Sequence, residues 1–160
     1  MRKYMGQHHL QIEEVMLKKK PNLNILKETL RRHEGVEKTV YDDTRGIPTV
    51  GVGRNLRDVG LSDDEIDFLL ENDIKRTMGL MDEYMGWYKS LDAVRQEALI
   101  NFVFNVGIGT AMKFKRAMEY LQKKEYDAAA DEFLDSRWKK QVGQRAYEIT
   151  DMIRTGKRHE

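Results

Sequence analysis

The sequence predicts an α+β domain, mainly α. Three observations carry that prediction. A β-patterned stretch, Thr39–Gly53, is broken by an Asp- and Gly-rich turn. A strong helix start, Ser62-Asp63-Asp64-Glu65, opens a long helical pattern. From Tyr84 onward every apolar spacing is helical.

A chain of 160 residues is one domain with room for two lobes. Forty per cent apolar residues supply a core, and 34% charged residues supply a polar surface. The 28 basic and 27 acidic residues nearly cancel, which gives no argument for a nucleic-acid partner. With no cysteine there is no disulfide framework, thiolate nucleophile or cysteine zinc site. No apolar run approaches the roughly 18 residues of a membrane span, so no membrane insertion is expected. The N-terminus, MRKYMGQHHLQIEEVMLKKK, lacks the apolar stretch of a signal peptide.

Residues 1–23 read as an extension ahead of the domain at 24–160. Ile12, Val15 and Met16 fall at helical spacing, and a Lys18–Lys20 run follows. The plain reading is a solvated arm. An anionic-surface contact or a docking segment are the functional alternatives.

Asn24 is a plausible N-cap for a helix at Ile25–Glu34, which Gly35 stops. Glu34 then sits at the negative end of a helix dipole, which disfavours its charged form. Val36–Arg57 reads as a small antiparallel β unit. Its expected strands are Thr39–Tyr41 and Thr49–Gly53, joined by the turn Asp42–Gly46. Two strands alone are marginal, so a third is expected around Leu56–Val59. Pro48 belongs at a strand start or edge, and Gly51 and Gly53 offer bare faces for close approach.

The helix opened by the capping box at Ser62 should run to about Glu83, roughly 30 Å at ~1.5 Å per residue. Ser90 or Asp92 caps the next segment, to Val106. Its apolar residues, Val94, Ala98, Leu99, Ile100, Phe102, Val103, Phe104 and Val106, nearly encircle it, which predicts burial. Three more helices are expected: one from Thr110, one over Tyr126–Lys139, and one from about Gly143. The tail after Gly156 is polar and should fray.

Chemistry concentrates at Glu34, Asp43 and Thr49. Two carboxylates and a positioned hydroxyl suit acid–base attack of water on a glycosidic bond. From residue type alone, Asp42 is as good a candidate as Asp43. The spacing Glu34-x8-Asp43-x5-Thr49-x-Gly51-x-Gly53 resembles the catalytic segment of the T-even phage lysozyme family, which cleaves bacterial peptidoglycan. The resemblance continues in Ser90-Leu91-Asp92-Ala93-Val94-Arg95, Ala98-Leu99-Ile100-Asn101, Ser136-Arg137-Trp138 with Gln141, Arg145 and Ala146, and Arg154-Thr155-Gly156. It spans roughly Asn24 to Gly156.

The resemblance implies a lysozyme-like two-lobe fold. The β lobe would be 35–61, the inter-lobe helix 62–83, and the helical lobe 84–160, joined by helix 24–34. It selects Asp43 over Asp42. It makes Glu34 the general acid, with Asp43 and Thr49 holding the attacking water. It also implies inversion at the anomeric carbon, hence a carboxyl separation of ~6.5–9.5 Å. Arg145 is similar to an arginine that faces the catalytic glutamate in the family. Asn105 takes the place of a polar residue on the cleft floor, bonding substrate or the hairpin turn, with capping of its helix end as the plain alternative. No metal or organic cofactor is implied.

The expected partner is peptidoglycan, and the expected state a monomer. The expected location is the host bacterial cytoplasm before release by a separate membrane-permeabilising protein. One departure is Arg54, where the family commonly has a histidine paired with a distant acid. Arginine stays charged at every relevant pH, so the pH dependence of stability need not transfer.

Other motifs fail. Gly51-Val52-Gly53 lacks the rest of a dinucleotide fingerprint, and His33-Glu34 lacks the second histidine of a zinc protease helix. His8-His9 is a weak metal pair, and neither a phosphate loop nor a serine nucleophile elbow is present.

Overall fold

The computed structural model describes residues 2–18 and 20–159, with side chains at 6–16 and 20–159. Lys19, in the middle of the Lys18–Lys20 run, lies outside the described residues. The chain divides into two units, Met1–Ser62 and Asp63–Glu160.

In the first unit, α1 (Arg2–Lys18) is exposed along all of residues 6–16. Helix α2 (Leu23–Glu34) starts two residues earlier than its sequence pattern suggests. Asn22, not Asn24, is the N-cap: its side chain accepts from the N–H groups of Asn24 (3.1 Å) and Ile25 (3.2 Å). Both asparagines have the right chemistry, and Asn22 wins because its backbone is extended while Asn24 is already helical. Gly35 ends the helix, its N–H on the Arg31 carbonyl at 3.0 Å.

Three antiparallel strands follow, β1 (Glu37–Asp42), β2 (Pro48–Gly51) and β3 (Arg54–Asn55), in the order β1-β2-β3. The second strand ends earlier than expected, because the chain turns at Val52-Gly53. The third strand therefore lies at 54–55, not 56–59, and Val50 pairs with Arg54. Residues 56–59 are a turn instead, pinned by Asn55, which accepts the Asp58 N–H at 2.8 Å. Arg54, the departure from the family pattern, donates to the Gly60 carbonyl at 3.2 Å.

The second unit is helical. It contains α3 (Asp63–Tyr84), a 3-10 turn at Gly86–Ser90, α4 (Ala93–Val106), α5 (Ile108–Lys113), α6 (Lys115–Gln122), α7 (Tyr126–Leu134), α8 (Arg137–Val142) and α9 (Gln144–Thr155). Helix α3 begins with Asp63, Asp64 and Glu65, which suits the positive end of its dipole. Asp92 is the N-cap of α4, accepting the Arg95 N–H at 3.2 Å.

Phe102 on α4 is the centre of the core. Its ring meets Phe114, Phe133 and Trp138 edge-on, with centroids 4.9, 4.8 and 4.9 Å away. Ala98, Leu99 and Val103 are buried beside it. The helix is not buried all round, however. Phe104 is 40% exposed, and a groove of about 590 Å³ runs between α3 and α4, lined by Leu70, Ile74, Met78, Ile100 and Phe104 among others.

Two expected helices are each broken in two. Phe114 leaves helical geometry at ψ 56° and separates α5 from α6. Ser136 is fully extended and separates α7 from α8, its hydroxyl donating to the Phe133 carbonyl at 2.6 Å. The polar tail is held and does not simply fray. Arg158 forms a two-pronged pair with Glu97 on α4, Nε–Oε2 2.9 Å and Nη2–Oε1 2.6 Å.

Candidate active site

Glu34 is the last residue of α2, so its exposed side chain projects where the helix stops. Gly53 lies beside it in the turn between β2 and β3. A Cβ on Gly53 would come 3.5 Å from Glu34 Oε2. That is ordinary contact, so it is the left-handed φ of +71° that calls for glycine here, with the carboxyl of Glu34 lying alongside the turn.

Asp43 and Asp42 are distinguished by the turn. Asp42 is the last residue of β1, paired with Pro48. Asp43 opens the turn Asp43-Thr44-Arg45-Gly46 and its Oδ1 accepts two backbone hydrogen bonds, from Arg45 (2.8 Å) and Ile47 (2.9 Å). The Ile47 N–H holds the Asp43 carboxyl below the usual carboxylate range. Partial burial opposes this, while the Arg45 N–H and the guanidinium groups of Arg45 and Arg57 reinforce it. At neutral pH Asp43 is therefore a firmly ionised carboxylate.

Thr49 sits in the central strand, opposite Tyr41 on β1 and Asn55 on β3, and only 3% of its surface is exposed. Its hydroxyl donates to the Ile47 carbonyl at 2.8 Å. Glu34, Asp43 and Thr49 thus all belong to the first unit, on one helix end and one three-stranded sheet.

Asn105 and Arg145 belong to the second unit. Asn105 Oδ1 accepts the indole N–H of the buried Trp138 at 2.8 Å, so this side chain fixes a core tryptophan. Arg145 is half-buried and grips Asn101, with Nε and Nη2 at 3.0 and 2.7 Å from Oδ1 and Nη2 also 3.3 Å from the main-chain oxygen. Asn101 and Asn105 are thus an i, i+4 pair on one face of α4. Two amides interrupting the otherwise apolar run Ala98–Val106 are the sequence signal for these contacts. Among the described residues no group of three or more His, Asp or Glu side chains comes together as a metal site.

The site also uses groups that side-chain reasoning passed over: the N–H donors of Arg45 and Ile47, and the charges of Arg45 and Arg57. Asp followed by Gly three residues later is the mark of a tight turn, and it was the available clue.

A small antiparallel sheet followed by a helical unit is the architecture, and the family match makes the class a glycoside hydrolase. The chain belongs to the phage lysozyme family, whose sequence model matches residues 31–154. It is similar to the endolysin of Salmonella phage P22, with 32% identity covering 69% of this chain and 78% of that one. It is also similar to a probable T4-type lysozyme of Dictyostelium discoideum, with 26% identity covering 82% and 94%. The pre-baseplate central spike protein Gp5 of Enterobacteria phage T4 shares 27% identity, covering 91% of this chain and 30% of Gp5. The chain is accordingly a peptidoglycan-lytic enzyme, a muramidase. No helix among the described residues is long and apolar enough to cross a membrane.

Proposed function

We propose that this enzyme hydrolyses the β-1,4 bond between N-acetylmuramic acid and N-acetylglucosamine with inversion, in host-cell lysis by a phage or prophage. The observation that carries this reading is the trio itself. Glu34, Asp43 and Thr49 all fall inside the family match and within one unit of the fold. Glu34 protonates the leaving oxygen, Asp43 takes a proton from the attacking water, and Thr49 orients that water. An inverting enzyme needs ~6.5–9.5 Å between the carboxyl groups, to leave room for the water. Arg145 on α9 and Asn105 on α4 are the supporting residues of this reading, and the basic segment Arg137–Lys140 draws in the anionic polymer. The enzyme acts as a monomer, needs no cofactor, and waits in the host cytoplasm for a separate protein to permeabilise the membrane.

Product analysis of digested peptidoglycan tests this. Wild type should release new reducing muramic ends, and Glu34→Gln should release none while staying folded. Anhydro-muramic ends would mean a lytic transglycosylase, and binding without products would mean a wall-binding module. Thr49→Glu should trap a product or change the stereochemistry, because it puts a carboxylate in the place of the water.

A second reading is favoured by one observation. The similarity to the central spike protein extends over 91% of this chain, further than the 69% for the phage P22 endolysin. The enzyme would then open the wall locally at infection, with residues 1–23 as a tether. Co-purification with virions would support that reading, and its absence would leave the free endolysin.

A further inference from the structure

Among the described residues no hydrogen bond joins the side chains of Asp43 and Thr49, yet both are tied to one residue between them. The Ile47 N–H donates to Asp43 Oδ1 at 2.9 Å. The Ile47 carbonyl accepts the Thr49 hydroxyl at 2.8 Å and the Asp43 N–H at 3.0 Å. The Ile47 side chain is 3% exposed, which anchors this backbone in the sheet unit. Gly46, at φ +74°, supplies the left-handed step that brings the Ile47 N–H round to the carboxylate, and its own N–H closes the turn on the Asp43 carbonyl at 2.9 Å.

Two consequences follow from counting donors and acceptors. Asp43 Oδ1 is occupied by two N–H groups, whereas Oδ2 has no hydrogen-bond partner among the described residues. Thr49 has one hydroxyl proton, and it is committed to Ile47, so towards anything else Thr49 offers only lone pairs.

We propose that Ile47 is the positioning residue of the hydrolytic step, its two main-chain groups fixing which oxygen of Asp43, and which hydrogen-bonding sense of Thr49, meet the attacking water. This rests on the roles of Asp43 and Thr49 proposed above. The water donates one O–H to Asp43 Oδ2 and the other to Thr49 Oγ1, which leaves an oxygen lone pair for the anomeric carbon. As that C–O bond forms, the glycosidic C–O bond breaks. The water proton passes to Asp43 Oδ2, and the proton held by Glu34 passes to the departing sugar oxygen.

The first test uses the wild-type protein and needs no substrate. In an acid titration followed by amide NMR, the Ile47 and Arg45 N–H signals should move together with the ionisation of Asp43, below the usual carboxylate range. That movement should vanish in Asp43→Asn. An Ile47 amide that ignores the titration overturns the proposal whether or not the enzyme cleaves peptidoglycan. The second test replaces Ile47 by its α-hydroxy acid analogue, which exchanges the N–H for an ester oxygen and keeps the side chain and the Ile47 carbonyl. We expect kcat to fall at least about tenfold with KM little changed. The acid limb of the kcat profile should move up, because Asp43 has lost one of its two backbone donors. An unchanged kcat and acid limb would overturn the positioning role. A wild type that makes no reducing ends, with the titration as expected, would instead refute the proposed reaction and leave the clamp standing.

Discussion

Asp42 and Asp43 carry the same group one residue apart, and the turn separates their roles. Asp43 gains two backbone donors and becomes a carboxylate that resists protonation. Under its proposed role, Asp43→Asn should lower turnover by roughly 10²–10⁴-fold while circular dichroism and solubility stay those of wild type. The residue types of the proposed site are legible in the sequence because glutamate, aspartate and threonine are read directly from it. The donors that set Asp43 are not, because every residue except proline has an N–H, and only the fold decides where it points. The paired carboxylates also set an acid sensitivity. Glu97 is held below its ordinary range by the Arg158 guanidinium, and Asp43 by the Ile47 N–H. Groups with depressed folded-state values add stability above the ordinary carboxylate range, near pH 4, and lose it as pH falls through the depressed values. Denaturant midpoints should therefore be flat from neutral pH to about pH 5 and fall below about pH 4. Arg158→Ala should shrink the share of that drop that Glu97 supplies.

At the scale of the element, helix ends did more than helix interiors to shape this chain. Apolar spacing foretold the helical segments, but it continued straight through Phe114 and Ser136, where the backbone leaves the helix. Both breaks keep an apolar side on the core, so a periodicity count hardly changes across them. What decides them is packing around Phe102 and a serine hydroxyl turned back on the Phe133 carbonyl, neither of which is a local signal. Helix α9 shows the same dependence on distant partners. Arg95 on α4 donates to the Ile153 carbonyl (2.6 Å) and the Arg154 carbonyl (3.0 Å), pairs with Asp92 (3.0 Å), and lies 3.6 Å over the ring of Tyr126. It thus satisfies orphan carbonyls at a helix end. Arg95→Ala should cost about 2–4 kcal/mol, read from urea unfolding, because it leaves those carbonyls unpaired and removes a cation–π contact. Phe102→Ala should cost about 3–5 kcal/mol by the same measurement, through a cavity at the centre of the aromatic cluster.

For the molecule as a whole, composition and charge spoke only of a single soluble-surfaced domain, and the division at Ser62 and Asp63 appears in the contacts. The family match begins at residue 31, and residues 6–16 of α1 are exposed throughout. Deleting residues 1–20 should therefore leave peptidoglycan turnover and the thermal midpoint unchanged. A loss of either would show that α1 docks onto something the enzyme needs. The far end of the chain is different. A Cβ on Gly156 would lie 2.7 Å from Arg95 Nη1, so a side chain there would have to displace that guanidinium, and Arg158 two residues on holds Glu97. A ribosome delivers the chain N-terminus first, so the sheet unit can form early. The helical unit must wait, because the residues that lock α9 onto α4 follow its other helices in the chain. Any stop codon, processing event or fusion joint placed before Arg158 would thus release a polypeptide whose proposed catalytic trio is complete but whose helical unit lacks its latch.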